Sequence, residues 1–366
     1  MKKVLVCGIA MVLSFLSSGC VEREILDDLY IETGKGYDLV EDNTIRGTAM
    51  FPVYKPDKSI ENMTLSAEAT STREVLETLA RMSQQPLVRG GLDAVVIGEE
   101  LAKKGVIDIA DSLQRDPSIG ARVYMMVSKG DAREILQGQY GIRGNGMYIS
   151  NLLKQNIKRR ELPETNLHMF LFDYYQLGQT PYLPIIRKIS DNTLKVDGIA
   201  LFHKDKMVDT IPAEDMFFFK ILVDKISEGS HVVRLDQEQK RDGQKVEASI
   251  TSLKAKHKIK VTYKKNPVKV TIKIKIKGII KEYTGERLTP KKITDIEKTM
   301  EKDIEDKAMQ MLTKFQKIGV DPIGIGQIQK HGVRGFDIKE WESKLYPNVQ
   351  FNVEPDVKIV EGGTVE

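Results

Sequence analysis

Cysteine is nearly absent from this chain, and the residues that build compact catalytic centres are scarce. The 366 residues include two cysteines, Cys7 and Cys20, and a single tryptophan. Two cysteines cannot form a disulfide framework or a four-cysteine zinc site. The five histidines stand apart from one another, and the sequence contains neither His-Glu-x-x-His nor Gly-x-Ser-x-Gly. The sequence therefore predicts a protein that is not an enzyme and that uses no metal or cofactor.

The chain also lacks a strong net charge and, after Cys20, any long apolar run. The formal net charge is +4, which argues against general nucleic-acid binding. Beyond Cys20, no apolar run approaches the roughly 20 residues that a membrane-spanning helix needs. Contents of 41% apolar and 30% charged residues are typical of globular proteins. We therefore expect two or three globular domains that do not cross a membrane.

The first twenty residues have the layout of a secretory signal peptide. Lys2 and Lys3 precede an uncharged, mostly apolar run, and small residues at 17–19 lead into Cys20. Small residues before a cysteine resemble the lipobox of bacterial lipoproteins, although Ser17 stands where these usually have leucine. We predict that residues 1–19 are removed and that Cys20 is acylated, which would anchor the chain to a membrane. The alternative is an ordinary signal peptide cut near Cys20.

A mixed α/β N-terminal domain is predicted for residues 20–190. Apolar runs at 95–97 and 123–127 read as buried strands, and helical segments alternate with them. A glycine-dense stretch at 138–146 lacks the Gly-Lys-Ser/Thr ending of a phosphate loop and is predicted to be a flexible surface loop. A turn cluster at 190–192 marks the predicted boundary.

The predicted fold class is multi-domain α+β, because residues 191–366 read as an antiparallel sheet with one long packed helix. A split into two subdomains near 240–255 is possible. Lysine alternates with β-branched residues through much of 253–283, which is the pattern of an antiparallel hairpin with one buried and one solvated face. Two further strands are predicted at 349–353 and 357–360.

The longest predicted helix has clear signals at both ends. Thr289 is suited to the N-cap and Pro290 to the first helical position, and Gly319 is suited to the C-cap. Apolar residues recur between these ends at steps of three and four. At 1.5 Å per residue the helix would be about 43 Å long. We expect it to pack across the apolar side of the hairpin.

Residues 253–281 contain eleven lysines and no acidic residue. Two interpretations of the exposed lysine row remain open. The lysines could contact anionic lipid headgroups, or they could belong to a solvated sheet face on which they prevent edge-to-edge aggregation. The candidate membrane-surface residues are Lys269, Lys273, Lys275 and Lys277.

An ordered set of short motifs resembles a known family, the C subunit of spore-germination nutrient receptors (the Ger(x)C lipoproteins of endospore-forming bacteria). The set covers nearly the whole chain. It departs from the family at Gly34-Lys35-Gly36-Tyr37-Asp38, where a clearer Gly-x-Asp is usual. After the signal and lipobox, the matching motifs are Arg23-Glu24-Ile25, residues 97–102, Arg115-Asp116-Pro117, residues 132–136, residues 198–202, residues 321–326 with Trp341, and Gly362.

The resemblance implies a non-enzymatic receptor component with an α+β fold of several domains. It implies a lipid anchor at Cys20 and a place on the outer face of the spore's inner membrane. The implied partners are two multi-pass subunits, A and B, which sense nutrients such as amino acids or sugars.

Two other functions share the anchor and the size. A solute-binding lipoprotein of a transporter is the first, but that class is built from doubly wound parallel sheets, which the lysine-rich hairpin does not fit. A lipid-anchored enzyme is the second, and the missing catalytic cluster argues against it. High-affinity binding of a small solute would identify the first, and turnover lost with one acidic pair would identify the second.

Overall fold

The structure is a computed structural model that describes residues 28–41, 43–158, 162–239, 245–262 and 267–362. The predicted signal peptide and Cys20 lie outside the described residues, as do Lys264 and Lys265 of the lysine-rich hairpin.

Two large sheets and a set of helices make up this part of the chain. The strands are β1 (Tyr30–Ile31), β2 (Gly34–Glu41), β3 (Thr44–Tyr54), β4 (Ile60–Ala69), β5 (Leu87–Val88), β6 (Ala94–Gly98), β7 (Tyr124–Ser128), β8 (Tyr182–Ser190), β9 (Thr193–His203), β10 (Lys206–Pro212), β11 (Ile226–Gln239), β12 (Lys245–Val261), β13 (Lys269–Tyr283) and β14 (Gln350–Gly362). The helices are α1 (Thr72–Met82), α2 (Glu99–Lys104), α3 (Ile107–Arg115), α4 (Ala132–Leu136), α5 (Asn145–Lys158), α6 (Leu167–Tyr175), α7 (Met216–Val223), α8 (Pro290–Ile318), α9 (Ile325–Gly332) and α10 (Ile338–Glu340).

The N-terminal sheet has the strand order β10-β9-β8-β7-β6-β2-β3-β4. Its central strands β2, β6, β7 and β8 run parallel, and antiparallel strands extend both edges. Successive residues of β6 enter different cores, since Val96 packs in the cluster on one side and Val95 and Ile97 pack in the cluster on the other. A parallel sheet covered on both faces explains why this strand is continuously apolar. The predicted mixed α/β architecture is confirmed.

The predicted boundaries differ from the division made by the sheets. The turn at 190–192 joins β8 to β9, and both strands belong to the N-terminal sheet. This sheet continues to Pro212 at the end of β10. The possible split near 240–255 falls within β12 from Lys245 onward, and β12 pairs with both β11 and β13. Hydrogen-bonded neighbours on both sides make these residues part of one sheet.

The C-terminal sheet has the order β11-β12-β13-β14. The first three strands are antiparallel, which confirms the lysine-rich hairpin, whereas β14 runs parallel to β13. The two strands predicted after residue 348 are one strand that passes through Pro355. Proline interrupts a central strand because it has no N–H to donate, but β14 lies at the edge of the sheet, where proline is tolerated.

Helix α8 matches the predicted long helix at both ends. The Thr289 hydroxyl oxygen accepts a hydrogen bond from the Lys292 N–H at 3.3 Å, and Gly319 ends the helix with φ 70°. Its apolar stripe is fully buried and belongs to the same hydrophobic cluster as the inward-facing residues of β12 and β13. The members of the stripe are Ile296, Met300, Ile304, Ala308, Met311, Leu312 and Phe315.

Two carboxylates of α8 also bind the outer edge of β14. Glu301 Oε1 accepts a hydrogen bond from the Val357 N–H at 2.9 Å, and Glu297 Oε1 accepts one from the Ile359 N–H at 2.8 Å. These N–H groups would otherwise be open to pairing with a foreign strand. The helix therefore both covers the sheet and protects its last strand.

The glycine-dense stretch is more ordered than predicted. Tyr140 and Asn145 are fully buried. Asn145 Oδ1 accepts from the Tyr140 N–H at 2.8 Å, and Asn145 Nδ2 donates to the carbonyl oxygens of Leu136 and Gly138 at 3.2 and 2.6 Å. Residues 141–143 lie at the surface, as predicted, whereas the ends of the stretch are held by a buried amide that organises the backbone around itself.

We expect Ile304→Asp to unfold the C-terminal sheet, because it would place an unpaired charge in the apolar cluster. The free energy of unfolding should fall by about 3–5 kcal/mol or more. Gln310→Asp, at an exposed position of the same helix, is the matched control and should change stability only slightly. Urea unfolding followed by circular dichroism would measure both, and equal midpoints for Ile304→Asp and the parent would contradict the assignment of the helix face.

Candidate functional site: the lysine face of the C-terminal sheet

The four predicted surface lysines lie together on one side of β13. Lys269, Lys273, Lys275 and Lys277 are exposed, and the intervening residues are buried against the helices. The alternation follows from the period of two along a strand.

Strand β12 contributes four more exposed lysines, Lys254, Lys256, Lys258 and Lys260. The inward side of this strand is marked by His257, whose Nδ1 lies 3.0 Å from the Ile221 carbonyl oxygen of α7. We call these eight lysines, four on β12 and four on β13, the lysine face.

Lysines stand directly opposite one another across the two strands. The pairing register is Lys254 with Lys277, Lys256 with Lys275, and Lys258 with Lys273. Like charges at directly opposed positions destabilise a sheet. The hairpin therefore carries three unfavourable pairs in a row, and this concentration of positive charge is the most marked electrostatic feature of the C-terminal half.

Acidic residues of β14 balance part of this charge. Lys273 Nζ lies 2.7 Å from Glu354 Oε2, and Lys275 Nζ lies 3.3 Å from Asp356 Oδ2. Within the described residues, no acidic side chain lies within ion-pair distance of Lys254, Lys256, Lys258 or Lys260. The sequence analysis did not find the acidic partners, because β14 reaches β13 only after the long helix.

A second arrangement brings the family motif at 321–326 against the N-terminal half. The buried Asp321 carboxylate accepts hydrogen bonds from the N–H groups of Gly324 and Gly326 at 2.9 and 2.8 Å. The Asp321 N–H donates to Thr180 Oγ1 at 2.9 Å, and its carbonyl oxygen accepts from the Thr180 N–H at 3.0 Å. Burial raises the pKa of Asp321 to about 6, against the lowering effect of the N–H groups.

The backbones of Gly178 and Gly326 meet at this place. A Cβ on Gly326 would lie 2.7 Å from Gly178 Cα and 2.5 Å from Trp341 Nε1. The Gln327 N–H donates to the Gly178 carbonyl oxygen at 2.9 Å. We call this the Gly178–Gly326 contact. The sequence offered the glycine-rich motif and Trp341 but gave no signal that Gly178 is their partner.

A third group of motif residues meets at Asp38. Its carboxylate accepts hydrogen bonds from the N–H groups of Ala132 and Arg133, at 2.6 and 3.0 Å, which open α4. Gly98 leaves the space that Asp38 Oδ1 occupies. On the same strand as Asp38, the buried Lys35 forms a separate ion pair with Glu32 at 3.1 Å. Gly98, Asp38 and the first turn of α4 are therefore parts of one structural cluster, which we call the Asp38 cluster.

The described residues do not bring together three His, Cys, Asp or Glu side chains in a group that could hold a metal ion. In the same residues, no helix is both long and apolar enough to span a bilayer.

Comparison with known proteins identifies the chain's family. The model described as spore germination protein N-terminal domain matches residues 22–188, and the model described as spore germination B3/GerAC like, C-terminal matches residues 197–363. The chain is 32% identical to spore germination protein GerQC of Bacillus cereus over 359 residues, which covers 97% of this chain and 98% of that protein. The chain belongs to the GerAC-like family of spore germination proteins. This confirms the family suggested by the motifs, and with it a role in spore germination.

Two further relatives agree. The GerAC-like chain is 25% identical to the putative spore germination protein YfkR of Bacillus subtilis (strain 168), over 100% of its own length and 98% of the relative's. The crystal structure of the GerBC protein superposes with a TM-score of 0.58 at 17% identity, and covers 90% of this chain and 97% of that one. The latter likeness shows that the two proteins share a fold and confirms the predicted α+β class.

We expect Gly326→Ala to loosen the Gly178–Gly326 contact, because the new methyl group would overlap backbone that cannot move aside. A loss of about 1–3 kcal/mol is usual for overpacking of this kind. Gly120→Ala is the control, since a Cβ there would meet no atom within 4 Å. Thermal unfolding would compare the two, and an unchanged midpoint for Gly326→Ala would contradict the close contact.

The buried Asp173 of α6 makes stability depend on pH. Its Oδ1 accepts from Gln179 Nε2 at 2.8 Å, and burial raises its pKa to about 7, from 3.8. Between about pH 4 and pH 7 the folded state therefore holds a proton on Asp173 that the unfolded state has lost. The stabilisation from this proton is fully present below about pH 4. It falls by about 1.4 kcal/mol per pH unit as the pH rises to about 7.

We expect Asp173→Asn to flatten this decline, because an amide oxygen can still accept from Gln179 but carries no titratable proton. Urea unfolding between pH 4 and pH 8 would show the parent losing more stability than the variant. Asp108→Asn, at an exposed site on α3, should keep the parent's slope. Parallel pH profiles for the parent and Asp173→Asn would contradict the raised pKa.

Proposed function

We propose that this GerAC-like protein is a lipid-anchored, non-enzymatic subunit of a nutrient germinant receptor. It resides on the outer face of the spore's inner membrane and is needed for nutrient-triggered germination. Its partners are two multi-pass subunits, A and B, and the complex, rather than this chain alone, responds to the nutrient.

The observation that carries the proposal is the end-to-end similarity to GerQC, 32% identity over 97% of this chain. Similarity over 98% of the relative's length leaves no domain of that germination protein without a counterpart here. The family motifs support a structural role for the chain, because they form the Gly178–Gly326 contact and the Asp38 cluster rather than a site for chemistry.

The anchor supports a place at the membrane surface. If Cys20 is acylated, eight peptide units lead to Asp28, where the described fold begins, and at most about 3.5 Å per residue gives a reach of about 28 Å. The folded body is thus held close to the lipid, where the extramembrane parts of multi-pass partners would lie.

The proposal is tested in spores that lack this chain. They should fail to lose optical density in response to one nutrient or nutrient mixture, and the chain should copurify with two multi-pass proteins from detergent-solubilised spore membranes. Normal germination with every nutrient would contradict the receptor role. Tight binding of a small solute by the purified chain would favour a solute-binding lipoprotein instead.

We expect Cys20→Ala to release the protein from spore membranes washed at high salt, because two acyl chains would be lost. Cys7→Ala is the matched control, since that cysteine lies in the predicted signal segment and should leave fractionation unchanged. Mass spectrometry of the N-terminal peptide should show a diacylglyceryl Cys20 as the first residue in the parent. An unmodified N-terminus would contradict the anchor.

A further inference from the structure

The geometry points to a second membrane contact: the lysine face, led by Lys254, Lys256, Lys258 and Lys260 of β12, binds the surface of an anionic lipid bilayer. The inference deepens the proposed function, on which it rests for placing the chain near a membrane. Its own evidence is the exposure, charge and surroundings of the outer side of the C-terminal sheet.

The outer side of the sheet is open. Helices α7 and α8 cover the opposite side, and the eight lysines are exposed. Exposed apolar side chains accompany them: Ile226, which is 59% exposed, stands opposite Lys256 on β11, and Leu253, which is 44% exposed, adjoins Lys254. Lys256 thus has an isoleucine on one flank and a lysine on the other, and Lys254 follows a leucine along its own strand.

Charge is distributed unevenly across this surface. Glu354 and Asp356 neutralise two lysines of β13, so the excess positive charge lies toward β12. Of the three opposed lysine pairs, the pairs of Lys273 and Lys275 have one member neutralised in this way, whereas Lys254 and Lys277 face each other without an acidic partner on β14. A layer of anionic headgroups would relieve the repulsion that remains along the row.

The chemistry of the face fits a lipid surface better than an acidic protein segment. The face contains lysine but no arginine, and arginine is the residue suited to the fixed, bidentate recognition of carboxylates. Lysine heads on flexible stems suit mobile headgroups, and each lysine near an anionic bilayer strengthens binding about fivefold. Exposed isoleucine and leucine beside the lysines suit the headgroup boundary. An acyl anchor would raise the effective concentration of the lysine face at the bilayer surface. Weak binding by the face would then be sufficient to orient the folded body on the bilayer.

The first experiment measures co-sedimentation of residues 20–366, which contain the whole described fold, with Cys20→Ala to remove the acylation site. Vesicles contain either phosphatidylcholine alone or phosphatidylcholine with phosphatidylglycerol. We expect binding only to the anionic vesicles, and release at high salt because the contact is electrostatic. Absence of binding to anionic vesicles would overturn the inference, and binding of poly-glutamate but not of vesicles would indicate a protein partner and overturn it as well.

A loss-of-charge variant locates the surface. Replacing Lys254, Lys256, Lys258 and Lys260 by glutamine should weaken vesicle binding by on the order of a hundredfold or more, at about fivefold per lysine. The matched control replaces the same number of exposed lysines on α8, on the covered side of the sheet: Lys291, Lys298, Lys302 and Lys317. Equal loss in both variants would mean that only net charge matters and would overturn the assignment to the lysine face.

A gain-of-charge variant tests the role of the β14 acids. Glu354→Gln with Asp356→Asn frees Lys273 and Lys275 and should strengthen binding severalfold. Glu305→Gln with Asp306→Asn makes the same charge change at exposed positions of α8 and should not. Circular dichroism should show all variants folded. Cys20 and the partner subunits are absent from these assays. Vesicle binding can therefore fail while the receptor proposal holds, and the receptor proposal can fail while vesicle binding holds.

Discussion

Two backbone segments meet at Gly178 and Gly326 with no room for a side chain between them, and this contact is one of those that attach the C-terminal half to the N-terminal half. The buried Asp321 carboxylate holds the loop that presents Gly326, and Thr180 is bonded to both backbone groups of Asp321. Gly178 adopts φ 80°, a conformation that side chains disfavour. A contact between backbones transmits position more rigidly than one between long side chains, so it can fix where the lysine face lies relative to the rest of the chain.

Residues of the family motifs form several of the close contacts in this architecture. Asp38, Gly98 and Ala132 are far apart in the sequence and meet at the start of α4. Gly326 of the motif at 321–326 meets both Gly178 and Trp341. These motif residues satisfy buried backbone groups or permit a close approach. In the proposed role as a receptor subunit, they would act by holding the surfaces that meet the membrane and other proteins.

Local signals predicted much of the fold. Thr289, Pro290 and Gly319 marked the ends of the long helix, and the period of two at 269–277 identified the hairpin and its exposed lysines. What the sequence could not reveal depends on partners distant along the chain. Glu354 is an ion-pair partner of Lys273 because β14 lies parallel to β13. The Tyr140 N–H is buried with the side-chain amide of Asn145 as its partner, and in the sequence Asn145 looked like an ordinary loop residue. The turn at 190–192 was found correctly as a turn, yet a turn signal cannot tell whether the same sheet continues beyond it.

The position of β14 has a consequence for how the chain folds during synthesis. Strand β13 is complete before α8 begins, but its parallel neighbour is made only after the helix and the segment that carries Trp341. Until then β13 is an edge strand rich in isoleucine, and Glu297 and Glu301 have no N–H groups of β14 to bind. Such an edge invites pairing with another chain. The density of lysine on β12 and β13 would then repel other copies during this interval, so the charge that crowds the finished sheet would also oppose pairing between unfinished copies.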